Sequence, residues 1–194
     1  YIMTIKDLIQ KNRSYRRFYE DKKISFDTLQ ALIELARLSP SAKNMQSLRY
    51  ILSGKDSLNE KIFPCLMWAG YLKDWPGPAE GERPSAYIVQ LNDTEISTQY
   101  FCDDGIATQS MLLGAVEKGY GGCIIASVNR ELLRTNLQIP EKYEIIQVIA
   151  LGKPKEEVVL DKLNPDGDIK YWRDENNIHH VPKRSLNDLI VSFI

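Results

Sequence analysis

Cysteine and histidine are scarce in this chain of 194 residues, which has three of the first and two of the second. Cys65, Cys102 and Cys123 are widely spaced and form no C-x-x-C pair, and the only histidines are the neighbours His179 and His180. That supply argues against a zinc site. The thiols read instead as reduced, buried or half-buried groups of a cytoplasmic protein. The chain also lacks net charge: Lys and Arg total 25 against 26 for Asp and Glu, leaving −1. No global field therefore draws it to nucleic acid or to an anionic membrane. No apolar run approaches the roughly 20 residues that cross a bilayer. Tyr1-Ile2-Met3-Thr4-Ile5-Lys6-Asp7 does not follow the charged-then-apolar order of a signal peptide. Repeats and low-complexity tracts are missing too.

What is present is ordinary globular material, 43% hydrophobic and 26% charged. That suits a single domain over residues 1–194, with an excursion at 55–83. Thr4 and Asp7 have capping-box spacing and open a short helix, and Ser25 opens a stronger one that Pro40 stops. Arg49–Leu52 and Ser85–Leu91 read as strands. A helix with a broad apolar face runs from about Asp103 to Lys118, with Asp103 and Asp104 as its cap and counter-charge. Gly121–Ala126 gives a strand, Asn129 caps a further helix, and the apolar run Glu144–Leu151 suits a sheet centre. From there to Pro182 the sequence reads as polar loop, and Ser185–Ile194 as a short helix or strand. In the excursion, Trp68, Tyr71 and Trp75 stand among Pro76, Gly77, Pro78 and Gly81, a packed lid rather than a flexible linker. The mixture is α+β or α/β with a small sheet, which periodicity alone does not separate.

Three clusters carry possible chemistry. Arg13-Ser14-Tyr15-Arg16-Arg17 offers planar cationic forks and a hydroxyl, a set suited to a phosphate monoester. In an extended loop Arg13, Tyr15 and Arg17 would share one face, with Ser14 and Arg16 on the other. Pro40-Ser41-Ala42-Lys43-Asn44-Met45-Gln46 offers amides that match the carbonyls and N–H of a flavin pyrimidine edge, with Lys43 as a nearby cation. Lys183-Arg184 adds a late basic pair. Taken singly, each also reads as solvated surface, helix cap or turn. Tyr171-Trp172-Arg173-Asp174 and His179-His180 read as a packed loop or subunit contact rather than a ligand site.

The order of these segments resembles the nitroreductase family. Its members carry R-R-S-x-R after a short first helix, P-S-x-x-N-x-Q-P-W after the second, a G-x-G-like strand after a long central helix, and a strand ending in G-x-P before a late basic contact. This chain has Asn12-Arg13-Ser14-Tyr15-Arg16, Pro40–Leu48, Gly119-Tyr120-Gly121-Gly122-Cys123, Leu151-Gly152-Lys153-Pro154 and Lys183-Arg184 in the same order. The resemblance implies an α+β fold with a small, mostly antiparallel central sheet flanked by helices, assembled as a homodimer around flavin mononucleotide (FMN). Arg13, Ser14 and Arg16 would contact the phosphate, ribityl chain or pyrimidine edge. Ser41, Asn44 and Gln46 would contact the ring, Ala126 and Ser127 would pass against it, and Lys183 and Arg184 would close on the phosphate. Three departures stand out. Asn12 replaces a common arginine, so that phosphate contact would be either missing or moved to Arg17; Lys43 replaces a small residue; and Ser47-Leu48 replaces Pro-Trp. The apolar Leu186, Leu189, Ile190, Val191, Phe193 and Ile194 fit either an arm embracing a partner subunit or a last core helix.

The implied activity is transfer of reducing equivalents from NADH or NADPH, through FMN, to a small nitroaromatic, quinone or similar acceptor by ping-pong kinetics. The flavin supplies the redox chemistry, so no catalytic side chain is named. Alternatives remain: a flavin-binding protein for storage or sensing, a flavin-fragmenting or dehalogenating relative, and, from another class, a nucleic-acid module using the basic loop.

Overall fold

The computed structural model describes residues 3–192, and strand β5 (Tyr143–Pro154) organises it. β5 pairs on one side with β3 (Ala86–Asp93), which pairs in turn with β2 (Leu48–Ser53). β4 (Gly121–Ile125) also pairs with β5, and the two-residue β1 (Phe18–Tyr19) pairs with the end of β5 at Lys153 and Pro154. Every pairing in this five-stranded sheet is antiparallel. All eight residues of β3 are buried, as in a strand covered on both faces.

The two covers differ. On one face Ala86, Ile88, Ile149 and Leu151 meet α2 (Phe26–Leu38) and α4 (Asp103–Glu117). On the other, Tyr87, Val89, Val148 and Ala150 meet α3 (Asp56–Ile62) and α5 (Arg130–Leu137). Alternate residues of one strand thus feed opposite layers. Helices α2 and α4 approach closely at Gly114, where a Cβ would lie 2.2 Å from Leu35 Cδ1. Gln90, Thr108 and Gln147 form a buried hydrogen-bonded triangle that ties α4 to β3 and β5.

The expected caps form. Thr4 and Asp7 make a reciprocal box on α1 (Ile5–Lys11), and Ser25 and Asn129 accept from backbone N–H groups of α2 and α5. Four expectations need correction. The segment to Pro182 is not all loop: β6 (Val158–Lys162) pairs parallel with β8 (His179–Lys183), and β7 (Trp172–Arg173) pairs antiparallel with it. Asp103 does not cap α4; Cys102 holds that position without a side-chain bond, and the Asp103 carboxylate accepts from Ser41 Oγ and Ala42 N instead. Cys102 is exposed rather than buried or half-buried. The terminal helix α6 (Leu186–Leu189) buries nothing in its own chain, so it is no last core helix; Phe193 and Ile194 lie outside the described residues. Among the described residues no helix is long and apolar enough to cross a membrane, and no His, Cys, Asp and Glu cluster could hold a metal.

Candidate functional site

The basic loop after α1 is laid against the start of β4 by two glycines. Ser14 bridges Gly122, and Tyr15 N donates to Gly122 O at 3.0 Å. A Cβ on Gly122 would lie 2.7 Å from Ala150 O and from Leu112 Cδ2, and one on Gly121 would lie 2.5 Å from the Tyr15 ring. Only bare backbone permits so close an approach.

The loop is not extended throughout, which revises the expected facing of its side chains. Tyr15 N donates to Arg13 O at 2.8 Å, a one-residue turn centred on Ser14. The turn brings Arg13 to the side of Ser14 and Arg16. Tyr15 Oη donates back to Lys11 O, and Arg17 is committed elsewhere: its Nε and Nη2 each lie 2.7 Å from a Glu82 oxygen. The Nε–Nη2 edge of Arg17 is thereby taken by Glu82, and Arg17 lines neither of the two cavities that Arg16 lines. The buried carboxylate of Glu156 accepts from the backbone N–H groups of Arg16 and Arg17 and from Arg173 Nη2 at 3.0 Å. The loop is thus tied to the small C-terminal sheet.

Between loop and sheet lies a cavity of about 310 Å³ whose walls include Arg13, Ser14, Arg16, Tyr171, His179 and Lys183. Residues from opposite ends of the chain converge here. Arg13 Nη2 donates to Ile9 O, while its Nε is buried without a partner among the described residues. Arg16 uses only Nη1, toward Ser14 O at 3.2 Å and His179 Nε2 at 3.4 Å, with its guanidinium 4.8 Å above the Tyr171 ring. His179 is 1% exposed. Burial, with the charges of Arg16 and Arg173 and then of His180 added, pushes its pKa down to about 4. It is therefore a neutral acceptor toward Arg16. On the opposite side of β8, His180 lies 2.7 Å from Asp161 and 3.6 Å from Asp174 and stacks on Trp172 at 4.2 Å. Its hydrogen bond to Asp161, chiefly, raises its pKa.

A second cavity, of about 370 Å³, shares Arg16, Ile124 and Tyr171 with the first and continues along Ala126 and Ser127. Met67 and Trp68 form its far wall. That wall is fixed to the end of β4 through Met67 N donating to Ser127 O at 3.0 Å and a Leu66–Val128 bridge. The excursion then packs on the C-terminal sheet, with Tyr71 4.9 Å from Tyr171 and Arg173 4.3 Å from the Trp75 ring. Together the two cavities pair a cationic end with an aromatic-walled slot.

Ser41, Asn44 and Gln46 are not brought to this place. Ser41 and Gln46 line a separate hollow of about 270 Å³ with Tyr50 and Asp103. Lys43, Asn44 and Gln46 all take positive φ (51°, 55° and 52°), and Gln46 Nε2 donates to Asn44 Oδ1 at 3.1 Å. Arg184 is exposed and lines neither half of the groove. Tyr171 and His179 were missed as wall residues. An aromatic and a histidine in a polar stretch give no signal of their own; the pairing of β8 with β6 and β7 sets them beside the basic loop.

The family model described as "Nitroreductase family" matches residues 9–77 and 83–153. A protein of Archaeoglobus fulgidus, provisionally named an NADH dehydrogenase/NAD(P)H nitroreductase, is 29% identical over 171 residues, spanning 82% of this chain and 92% of its own length. The crystal structure of a nitroreductase family protein from Clostridium novyi NT is 27% identical and superposes with a TM-score of 0.63, covering 79% of this chain and 88% of that one. A structure from Clostridium difficile R20291 titled an FMN-dependent nitroreductase shares the fold at a TM-score of 0.59 and 24% identity, covering 77% of this chain and 87% of that one.

Proposed function

Since this chain belongs to the nitroreductase family, we propose that it is an FMN-dependent oxidoreductase taking hydride from NADH or NADPH and delivering reducing equivalents to a nitroaromatic, quinone or similar acceptor. The observation that carries the reading is the convergence of Arg13, Ser14, Arg16 and Lys183 on one cavity that opens into an aromatic-walled slot. The donors fit a phosphate. Arg13 Nε is a buried N–H with no protein partner, and Arg16 has a free Nε and Nη2 edge among the described residues.

Arg13, Ser14, Arg16 and Lys183 would hold the phosphate, and the strand end at Ala126 and Ser127 would lie along the ring. When bound, the flavin would supply hydride acceptance and donation. The protein's part is to bind and orient. Donor and acceptor would share the one site beside the ring, so the two would bind in turn and ping-pong kinetics would follow. Ser41, Asn44 and Gln46 line a different surface, which a second copy of the chain would bring to the ring. The exposure of Leu186, Leu189 and Val191 (70%, 66% and 100%) supports such an assembly, because the described residues of one chain give these side chains little to pack on.

The test is spectroscopic. Purified protein titrated with FMN binds it at micromolar levels; anaerobic NADH or NADPH bleaches the visible flavin band, and a quinone or nitro compound restores it. Failure to bind FMN overturns the proposal. Bleaching by dithionite alone assigns the protein to flavin storage or sensing.

A further inference from the structure

We propose that His179 is a positioning residue of the phosphate site: its Nε2 accepts from Arg16 Nη1 and so turns the Nε and Nη2 edge of that guanidinium toward a phosphate in the cavity. The proposal rests on the flavin reading above and adds a residue that its sequence motifs do not contain.

Arg16 has five N–H donors in a rigid plane. Those on Nη1 go to Ser14 O at 3.2 Å and to His179 Nε2 at 3.4 Å. The face of the plane lies over Tyr171 at 4.8 Å, and the backbone N–H is fixed by Glu156. One edge of the guanidinium, carrying Nε and Nη2, has no partner among the described residues, and an edge of that kind meets two phosphate oxygens at once. His179 is well placed to hold the opposite corner. It is 1% exposed, its ring sits 5.2 Å from the Tyr171 ring, and it lies on β8, a strand held on both sides by hydrogen-bonded neighbours. The charged groups around it are Arg16, Arg173 and His180, so a second positive charge on its ring is disfavoured and the acceptor role is kept. With Nε2 accepting, the proton must sit on Nδ1, which is buried without a partner among the described residues. That cost is borne at a position where an apolar side chain would pack without it.

The experiment compares FMN with riboflavin, which carries the ring without the phosphate. In His179→Leu, FMN affinity falls about tenfold, the worth of one charge-assisted hydrogen bond, while riboflavin affinity is unchanged. His179→Gln, which returns an acceptor oxygen, recovers most of the loss. Unaltered FMN binding in His179→Leu overturns the proposal, as does an equal loss for both ligands, which marks a purely structural role. A second measurement needs no substitution. Nitrogen NMR of the wild-type protein, with and without FMN, finds the His179 proton on Nδ1; a proton on Nε2 overturns the proposal even if His179→Leu does not fold. Wild-type protein that binds neither ligand overturns the flavin reading and with it the phosphate role, while the tautomer still decides how Arg16 is held.

Discussion

Replacing Glu82 by Gln removes the carboxylate that pairs with Arg17 beside the basic loop. Both Arg17 contacts are 2.7 Å, Lys155 Nζ adds a third at 3.0 Å, and the Arg17 and Glu82 side chains are only 21% and 18% exposed. The Arg17 hydrogen bonds, chiefly, hold the Glu82 pKa down from the ordinary 4.5 to about 2. At about 1.4 kcal/mol per tenfold change in proton affinity, the ceiling on the stabilisation is about 3 kcal/mol. Residual solvent around Lys155 screens the cluster, so roughly 1.5–3 kcal/mol is expected. For a chain of this size that lowers the melting temperature by roughly 4–10 °C near neutral pH. The pH dependence follows from the direction of the shift. A depressed carboxylate stabilises above its unfolded value, near 4.5, and that contribution is lost as pH falls toward 2. Melting curves of wild type and Glu82→Gln should therefore lie apart at neutral pH and converge through that window. Coincident curves at pH 7, or a gap that persists in strong acid, would refute the reasoning.

Arg13→Glu reverses the charge at a wall of the cavity. FMN affinity should fall at least about a hundredfold, with the far-ultraviolet circular dichroism retained; full flavin occupancy in the purified variant counts against Arg13 as a ligand. Gly122→Ala drives a methyl group into Ala150 O and Leu112 and should cost about 1–3 kcal/mol in denaturant unfolding; a neutral result would show that the basic loop does not need bare backbone beneath it. The neighbouring histidines should titrate in opposite directions by NMR. His180, raised by Asp161 and Asp174, stabilises the small sheet below its unfolded value of 6.5, and that support fades as pH climbs through its folded pKa. Amide exchange in β6 and β8 should then accelerate with pH beyond the intrinsic rate in wild type but not in His180→Asn. His179, lowered to about 4, favours the folded state above 6.5 and opposes it as pH falls from there toward 4; His179→Gln should flatten that part of the stability profile.

Much of the fold up to Pro154 was legible because its signals are local. Thr4 with Asp7, Ser25 and Asn129 cap helices by chemistry within a few residues, and the apolar run at Glu144–Leu151 could only sit at a sheet centre. The C-terminal sheet was not legible. Its strands are short, Pro182 interrupts one of them, and its cohesion comes from His180 with Asp161 and Asp174 and from the Trp172 stack rather than from apolar alternation. Glu156 stands in a Lys-Glu-Glu run that reads as solvated charge, yet it is buried because the Arg16 and Arg17 backbone and Arg173 close around it. The site was half legible. Side-chain types suited to phosphate could be listed, and the resemblance gave them an order. Which of them share a cavity depends on the seating of the Ser14 turn against Gly122 and on the crossing of β8 past the loop, both long-range facts.

Glu156 also has a bearing on biosynthesis. It fastens the basic loop to a sheet completed only by Lys183, so the chamber has no far wall until Lys183 has left the ribosome. On the flavin reading, capture would follow synthesis of β8 rather than accompany it, and nascent chains interrupted before β8 should be colourless.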